Sequence, residues 1–149
     1  MRPRLVLGLA TVALLGATVR LDLPRASGGA FWGDGATYYA MAWSLAEDLD
    51  LRFESRDLER IRREYPGGPQ GLFLKRASGG LTVDGAAGFP WLRRVRPDEG
   101  RLYYAKAFVH PLVAAPLVAL LGTRGLLLAN GVLLWAALWL AFDVRQRRG

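Results

Sequence analysis

"AFVHPLVAAPLVALLGTRGLLLANGVLLWAALWLAF", residues 107–142, is the stretch whose reading decides the fold class. It contains two apolar runs, 107–121 and 125–142, with no Asp, Glu, Lys or Arg in either and with Arg124 between them. A membrane-spanning helix needs roughly 20 apolar residues, with about 17 as a lower limit. The second run meets that limit, and the first meets it only with its flanks. A third run, 5–19, reaches it if Leu21 and Leu23 are counted and Arg20 snorkels to the interface. Three apolar rods are more than the core of one small 149-residue domain can hide. The expected class is a mainly α integral membrane protein with about three transmembrane helices. A large extracytoplasmic loop is expected to hold amphipathic interfacial helices and a small β-hairpin.

The chain divides accordingly into a first anchor (1–23), an extracytoplasmic loop module (24–104), a transmembrane helix pair (105–143) and a basic tail (144–149). Its formal charge of +7 does not point to nucleic acid. Residues 20–106 carry 14 basic and 12 acidic side chains, close to balance. The excess comes from Arg2, Arg4, Arg124, Arg145, Arg147 and Arg148, which flank the apolar runs where basic residues set topology. No basic stripe with interleaved aromatics follows the pattern of a phosphate-tracking groove. The absence of cysteine excludes disulfides and thiolate chemistry.

Arg2 and Arg4 before residues 5–19 resemble a signal sequence, but "TVRLDLP" follows in place of a small-residue cleavage site, so an uncleaved anchor is expected. A cytoplasmic N-terminus places the loop outside and, with three spans, the 122–124 turn inside. The basic tail then falls outside, against the positive-inside tendency. The protein is expected in the inner membrane as a multi-pass chain.

Within the loop, residues 36–49 carry Tyr38, Ala42, Leu45 and Leu49 at helical spacing, beside Tyr39, Trp43 and Ala46. Tyr and Trp suit the headgroup level, so this helix is expected at the membrane interface. A charged helix at 55–65, with a stripe of Leu58, Ile61 and Tyr65, ends at Pro66-Gly67-Gly68. In "GLFLKRASGGLTVDG" (71–85), two β-prone runs flank Ser78-Gly79-Gly80, the signal of a hairpin. "AAGFPWLRRVRPDEG" (86–100), with two prolines, reads as irregular, and the segment from Arg101 extends the sheet briefly.

Asp34, between Gly33 and Gly35, has two readings. It is a preferred N-cap type for the helix that follows. It is also a carboxylate at a helix start, able to take a proton from an acceptor hydroxyl. Lys106 and His110 stand four apart and share a face if both are helical; a lysine there can hold a phosphate as a point charge. Glu47, Asp48 and Asp50 offer oxygens for a divalent cation but lack the spacing of a calcium loop, so neither a metal nor another cofactor is expected.

An initial span, Asp34 early in the loop, "YYAMAWSLAEDLDL" (38–51) and "YYAKAFVHPLVAAPLVALLGTRG" (103–125) occur in an order similar to one family. The chain resembles the N-terminal part of membrane-embedded glycosyltransferases of the GT-C superfamily, such as protein mannosyltransferases and aminoarabinose transferases. The resemblance implies transfer of a sugar from a polyprenyl-phosphate carrier to an acceptor at the outer membrane face. Asp34 matches the family's proposed base, and Lys106 matches a basic residue that contacts the carrier phosphate. His110, Tyr38 and Tyr39 complete the expected substrate-binding set. Many relatives have a second carboxylate where this chain has Gly35, which argues against a two-carboxylate or metal-assisted variant. Family members carry many more spans, so the chain reads as the front end of such an enzyme, inactive without further helices. Expected partners are membrane lipid, the lipid-linked sugar donor and those helices, with no nucleic acid. The alternative is a small membrane-anchored interaction protein without catalysis.

Overall fold

The structure is a computed structural model that describes residues 3–77, 79–86, 89–94, 96 and 100–148. Helix α1 (Pro3–Arg20) is followed by the single turn α2 (Leu23–Ala26). Asp22 caps α2 by accepting from the Arg25 amide at 3.1 Å. Strand β1 (Phe31–Trp32) leads into α3 (Gly33–Glu47), and α4 (Ser55–Glu64) follows. A reciprocal box starts α4: the Glu54 side chain accepts from the Asp57 amide, and Asp57 accepts from that of Glu54. Five short strands come next among the described residues, and β2 (Pro69–Gln70) pairs in parallel with β1. β3 (Leu74–Arg76) pairs antiparallel with β6 (Leu102–Tyr104), and β4 (Leu81–Ala86) with β5 (Phe89–Arg94). Helices α5 (Val109–Leu121) and α6 (Thr123–Arg148) complete the described chain.

The protein is mostly helical with a small amount of sheet, and the helix positions agree with the sequence reading. The strand pairing does not. The runs on either side of Ser78-Gly79-Gly80 do not pair with each other; β3 joins the distant β6, and the hairpin is β4–β5. Residues 89–94, expected to be irregular, form a strand. Pro90 fits there because a two-stranded ribbon has only edges. Ser78 and residues 87–88 lie outside the described residues.

Helix α3, expected as an amphipathic helix at the membrane interface, is packed inside the protein. Ala36, Tyr39, Ala40, Met41, Ala42 and Leu45 are all buried, which makes α3 the centre of the core. Alanines on α3 and Ala114, Ala115 and Pro111 on α5 leave room for close helix approach, and Val118, Leu126 and Ala129 extend the contact to α6. Ile61 and Tyr65 from α4, with Val83 and Tyr104 from the strands, close the other sides.

Among the described residues one helix, α6, is long and apolar enough to cross a membrane, and α5 is a shorter apolar helix. The 13 residues of α5 extend roughly 20 Å against a hydrocarbon core of about 30 Å. Both ends of α5 touch the loop module. Its start follows Lys106, which reaches α3, and its end at Gly122 meets α4: the Glu64 carboxylate accepts from the Thr123 amide (3.1 Å) and the Thr123 hydroxyl. Helices α1 and α6 run antiparallel, since Gly131 lies by Leu15 and Thr18 while Asp22 and Pro24 line a cavity with Thr123 and Arg124.

The elbow between α5 and α6 depends on glycine. Gly122 has φ 57° and ψ −135°, a conformation essentially reserved for glycine. A methyl on Gly125 would stand 2.0 Å from the Leu117 carbonyl oxygen. Gly125→Ala is therefore expected to cost about 1–3 kcal/mol through overpacking. Gly8→Ala, where an added methyl meets nothing within 4 Å, should leave the thermal midpoint unchanged or slightly raised. Equal midpoints for the two variants in detergent would contradict this elbow.

Candidate functional site

Asp34 stands in the first turn of α3, but the N-cap position belongs to Trp32, whose extended backbone starts the helix without a side-chain cap. The Asp34 carboxylate points outward, 57% exposed, with Oδ1 2.8 Å from the Lys106 ammonium. The flanking glycines have local reasons to be there. Gly33 has φ 58°, and a methyl on Gly35 would press on the Phe31 ring at 3.0 Å.

Two backbone ties bring Lys106 to Asp34. The Thr37 hydroxyl donates to the Gly33 carbonyl (3.0 Å) and accepts from the Phe73 amide (3.1 Å), fastening the approach to β3 onto the first turn of α3. The Ala105 amide donates to the Phe73 carbonyl at 2.9 Å, bringing the end of β6 alongside. Lys106 then lies over the Phe73 ring, 3.9 Å from its centroid, where a cation is attracted to the π face. Thr37 and Phe73 escape sequence reasoning because their roles exist only once β3 has paired with β6.

Lys106 and His110 do not share a helical face, because α5 begins at Val109. The two diverge. His110 Nε2 lies 2.7 Å from the Asn130 side-chain oxygen on α6, and Tyr38 packs edge-on against the imidazole at 5.5 Å. Tyr38 and His110 thus form a second pair beside the first turn of α3, and Asn130 is a partner that the sequence reading missed. An Asn within an otherwise apolar run was its only signal.

Tyr39 does not belong to the site. It is fully buried between Phe31, Trp43 and Tyr65, where burial pushes its hydroxyl well above the usual range. It is a core residue. The neighbouring Tyr65 hydroxyl is pushed up to about 12, also by burial.

The acidic group near the end of α3 is occupied by arginines. Arg60 bridges Asp48 and Asp57, Arg56 binds Asp48 at 3.1 Å, and Arg52 joins Asp84 at 2.7 Å. Asp57 accepts from the Glu54 amide (2.9 Å) and from the Tyr104 hydroxyl (3.0 Å). Asp50 accepts from Ser44 and from the Arg52 amide. Burial pushes both Asp50 and Asp57 above the usual carboxylate range, more than these partners pull them down. Burial, reinforced by the Asp57 charge, likewise raises Tyr104. This cluster ties α3, α4 and the strands together. Among the described residues no group of three or more His, Cys, Asp or Glu side chains could hold a metal ion.

Chemically, the pair offers a carboxylate more than half exposed, with one oxygen bound to an ammonium that lies over an aromatic ring. Such a pair can accept a proton from a hydroxyl and hold an anion at adjacent points. Comparison with protein-family models, with curated proteins and with solved structures found no match to this chain.

Proposed function

We propose that α1 and α6 cross the membrane as an antiparallel pair, and that the module between them, working with further membrane helices, supplies the catalytic carboxylate for transfer of a sugar from a polyprenyl-phosphate carrier. The observation that carries the chemistry is the 2.8 Å contact between the exposed Asp34 carboxylate and Lys106. In this reading the Asp34 carboxylate takes the proton of an acceptor hydroxyl as the hydroxyl oxygen attacks the anomeric carbon. The bond from that carbon to the carrier phosphate breaks, its electron pair leaves with the phosphate, and Lys106 offsets the charge. The exposed apolar face of α5 beside Lys106 suits the lipid portion of the donor. The test is transfer in membranes where the wild type or Asp34→Asn is combined with the further helices of a complete enzyme; active and equal transfer by the two overturns the reading.

Two spans replace the three expected from composition. With α5 held against the loop module at both ends, α6 starts on the loop side and returns, so 145–148 lie on the same side as Arg4. Basic residues then flank both spans on one side, as the positive-inside rule requires. The chain contains no cysteine, so single cysteines report topology directly. An impermeant thiol reagent on intact cells is expected to label Gln70→Cys and Arg124→Cys but not Gln146→Cys. A three-span chain would instead protect Arg124→Cys until lysis.

A further inference from the structure

Helices α3 and α4 face each other across a groove of about 490 Å³, within the range of about 300–1,000 Å³ usual for small-molecule sites. Trp43 and Glu47 of α3 line it, with Arg60, Arg63 and Glu64 of α4. The spacing explains the lining. Positions four apart on α3, and three and four apart on α4, project from one side of each helix. The four charged groups differ in what they already hold. Arg60 is committed to Asp48 and Asp57, and Glu64 to the start of α6. Glu47 and Arg63 are exposed and form no ion pair among the described residues, either with each other or with another side chain. The groove thus presents an uncommitted carboxylate on one wall and an uncommitted guanidinium on the other, with an indole one helical turn from the carboxylate.

We infer that this groove binds an ethanolamine phosphodiester, with Glu47 and Trp43 holding its ammonium and Arg63 its phosphodiester. The lining carries two carboxylates and two guanidiniums. A simple anion would gain Arg63 but face Glu47 and Glu64, whereas a ligand with both charges on a short chain meets an opposite charge at each end. A primary ammonium brings three donors to the carboxylate, and an indole ring attracts the same cation. The planar fork of Arg63 matches the phosphodiester oxygens. The ammonium is what separates this site from one for a polyprenyl phosphate, which has no cation. Position favours a membrane source. Glu64 lines the groove and also accepts from Thr123, the first residue of α6, so the groove stands beside the phospholipid headgroups where α6 enters the bilayer. That source rests on the two-span reading; the chemistry of the groove does not, and neither depends on sugar transfer.

The test uses the full chain in phosphatidylcholine nanodiscs. In one arm they are titrated with soluble glycerophosphoethanolamine. In the other, part of the lipid is replaced by phosphatidylethanolamine or by phosphatidylglycerol, and the lipids retained by the protein are identified by native mass spectrometry. Selective retention of phosphatidylethanolamine is expected, and it supports the site with or without binding of the soluble ester. Losing one charged hydrogen-bonding partner typically weakens binding by about tenfold or more, so Glu47→Gln and Arg63→Gln should each have that effect. Glu47→Gln should also erase the preference for phosphatidylethanolamine over phosphatidylglycerol, because only the ammonium distinguishes the two at this wall. Arg62→Gln, next to Arg63 but outside the lining, should leave binding unchanged. Should either Gln variant fail to fold, Glu47→Asp and Arg63→Lys carry the same comparison with a smaller loss expected. Equal retention of the lipids without binding of the soluble ester, or unchanged affinity in the Gln variants, overturns the site. Binding of the soluble ester alone supports the groove chemistry and overturns its membrane source.

Discussion

Asp34→Asn is expected to lower sugar transfer by about 10²–10⁴-fold, the usual contribution of a general base, while the unfolding midpoint stays nearly in place. Asparagine has the shape of aspartate and keeps a carbonyl oxygen towards Lys106, but it cannot take up the acceptor proton. The expected stability effect is small for a structural reason. Trp32, not Asp34, occupies the N-cap, so no capping bond is lost. What remains is the favourable place of a carboxylate in a first helical turn, about 0.3–1 kcal/mol, and an ion pair whose aspartate is more than half exposed, with a median worth of about 0–1 kcal/mol. Asp34→Ala should therefore also stay folded, unlike a residue acting mainly as a cap. Membranes carrying the completed enzyme and assayed for transfer, together with melting curves of the purified variants, separate the outcomes. Full transfer by Asp34→Asn removes the base role, and a large loss of stability in Asp34→Ala restores the structural one.

The largest stability effect is expected at Asp57→Ala, roughly 3–5 kcal/mol, the typical cost of breaking a buried ion pair by removing one partner. Asp57 is 1% exposed. Its removal strands the Glu54 amide and the Tyr104 hydroxyl, and leaves Arg60 only Asp48. Asp57→Asn should cost less, because burial already works against the charge. The pH dependence follows from the sign of that shift. A carboxyl whose folded pKa is raised binds more protons folded than unfolded. Its contribution to stability is complete below the unfolded value near 3.9 and is lost as pH rises through the folded one. The stability gap between wild type and Asp57→Asn should therefore be widest in acid and should narrow towards neutrality. Melting curves from pH 3 to 7 measure it, and a gap that widens with pH would falsify the assignment.

Local signals carried most of the helices. The periodicity of 36–49, the stop at Pro66-Gly67-Gly68 and the uncharged run 125–142 each act within a few turns, and α3, α4 and α6 lie where those signals place them. The strand partners were not legible in the same way. Ser78-Gly79-Gly80 has hairpin chemistry, yet β3 gains more by pairing with the distant β6, whose Tyr104 is buried against Asp57. Composition likewise cannot separate a lipid-facing helix from a core helix. The run 107–121 packs one face on α3, and its helix, Val109–Leu121, is shorter than α6. Asp34 and Lys106 were each legible as candidates, but their contact was not, since it depends on Thr37 and Phe73. Glu64, within the charged 55–65 helix, takes its role only from the start of α6, which rests on it.

The packing of α3 against α5 and α6 also sets an order of events during synthesis. The apolar side of α3 is complete by Leu45, but Ala114, Val118 and Ala129, which cover it, come as much as roughly 80 residues later. At a translation rate of about 5–20 residues per second, the interval is roughly 4–17 s. Throughout it the nascent chain carries the apolar side of α3 without the α5 and α6 residues that cover it. Charged α4 is the first large element made after α3 and the earliest available to shield it, which gives its many arginines a use before the fold is finished.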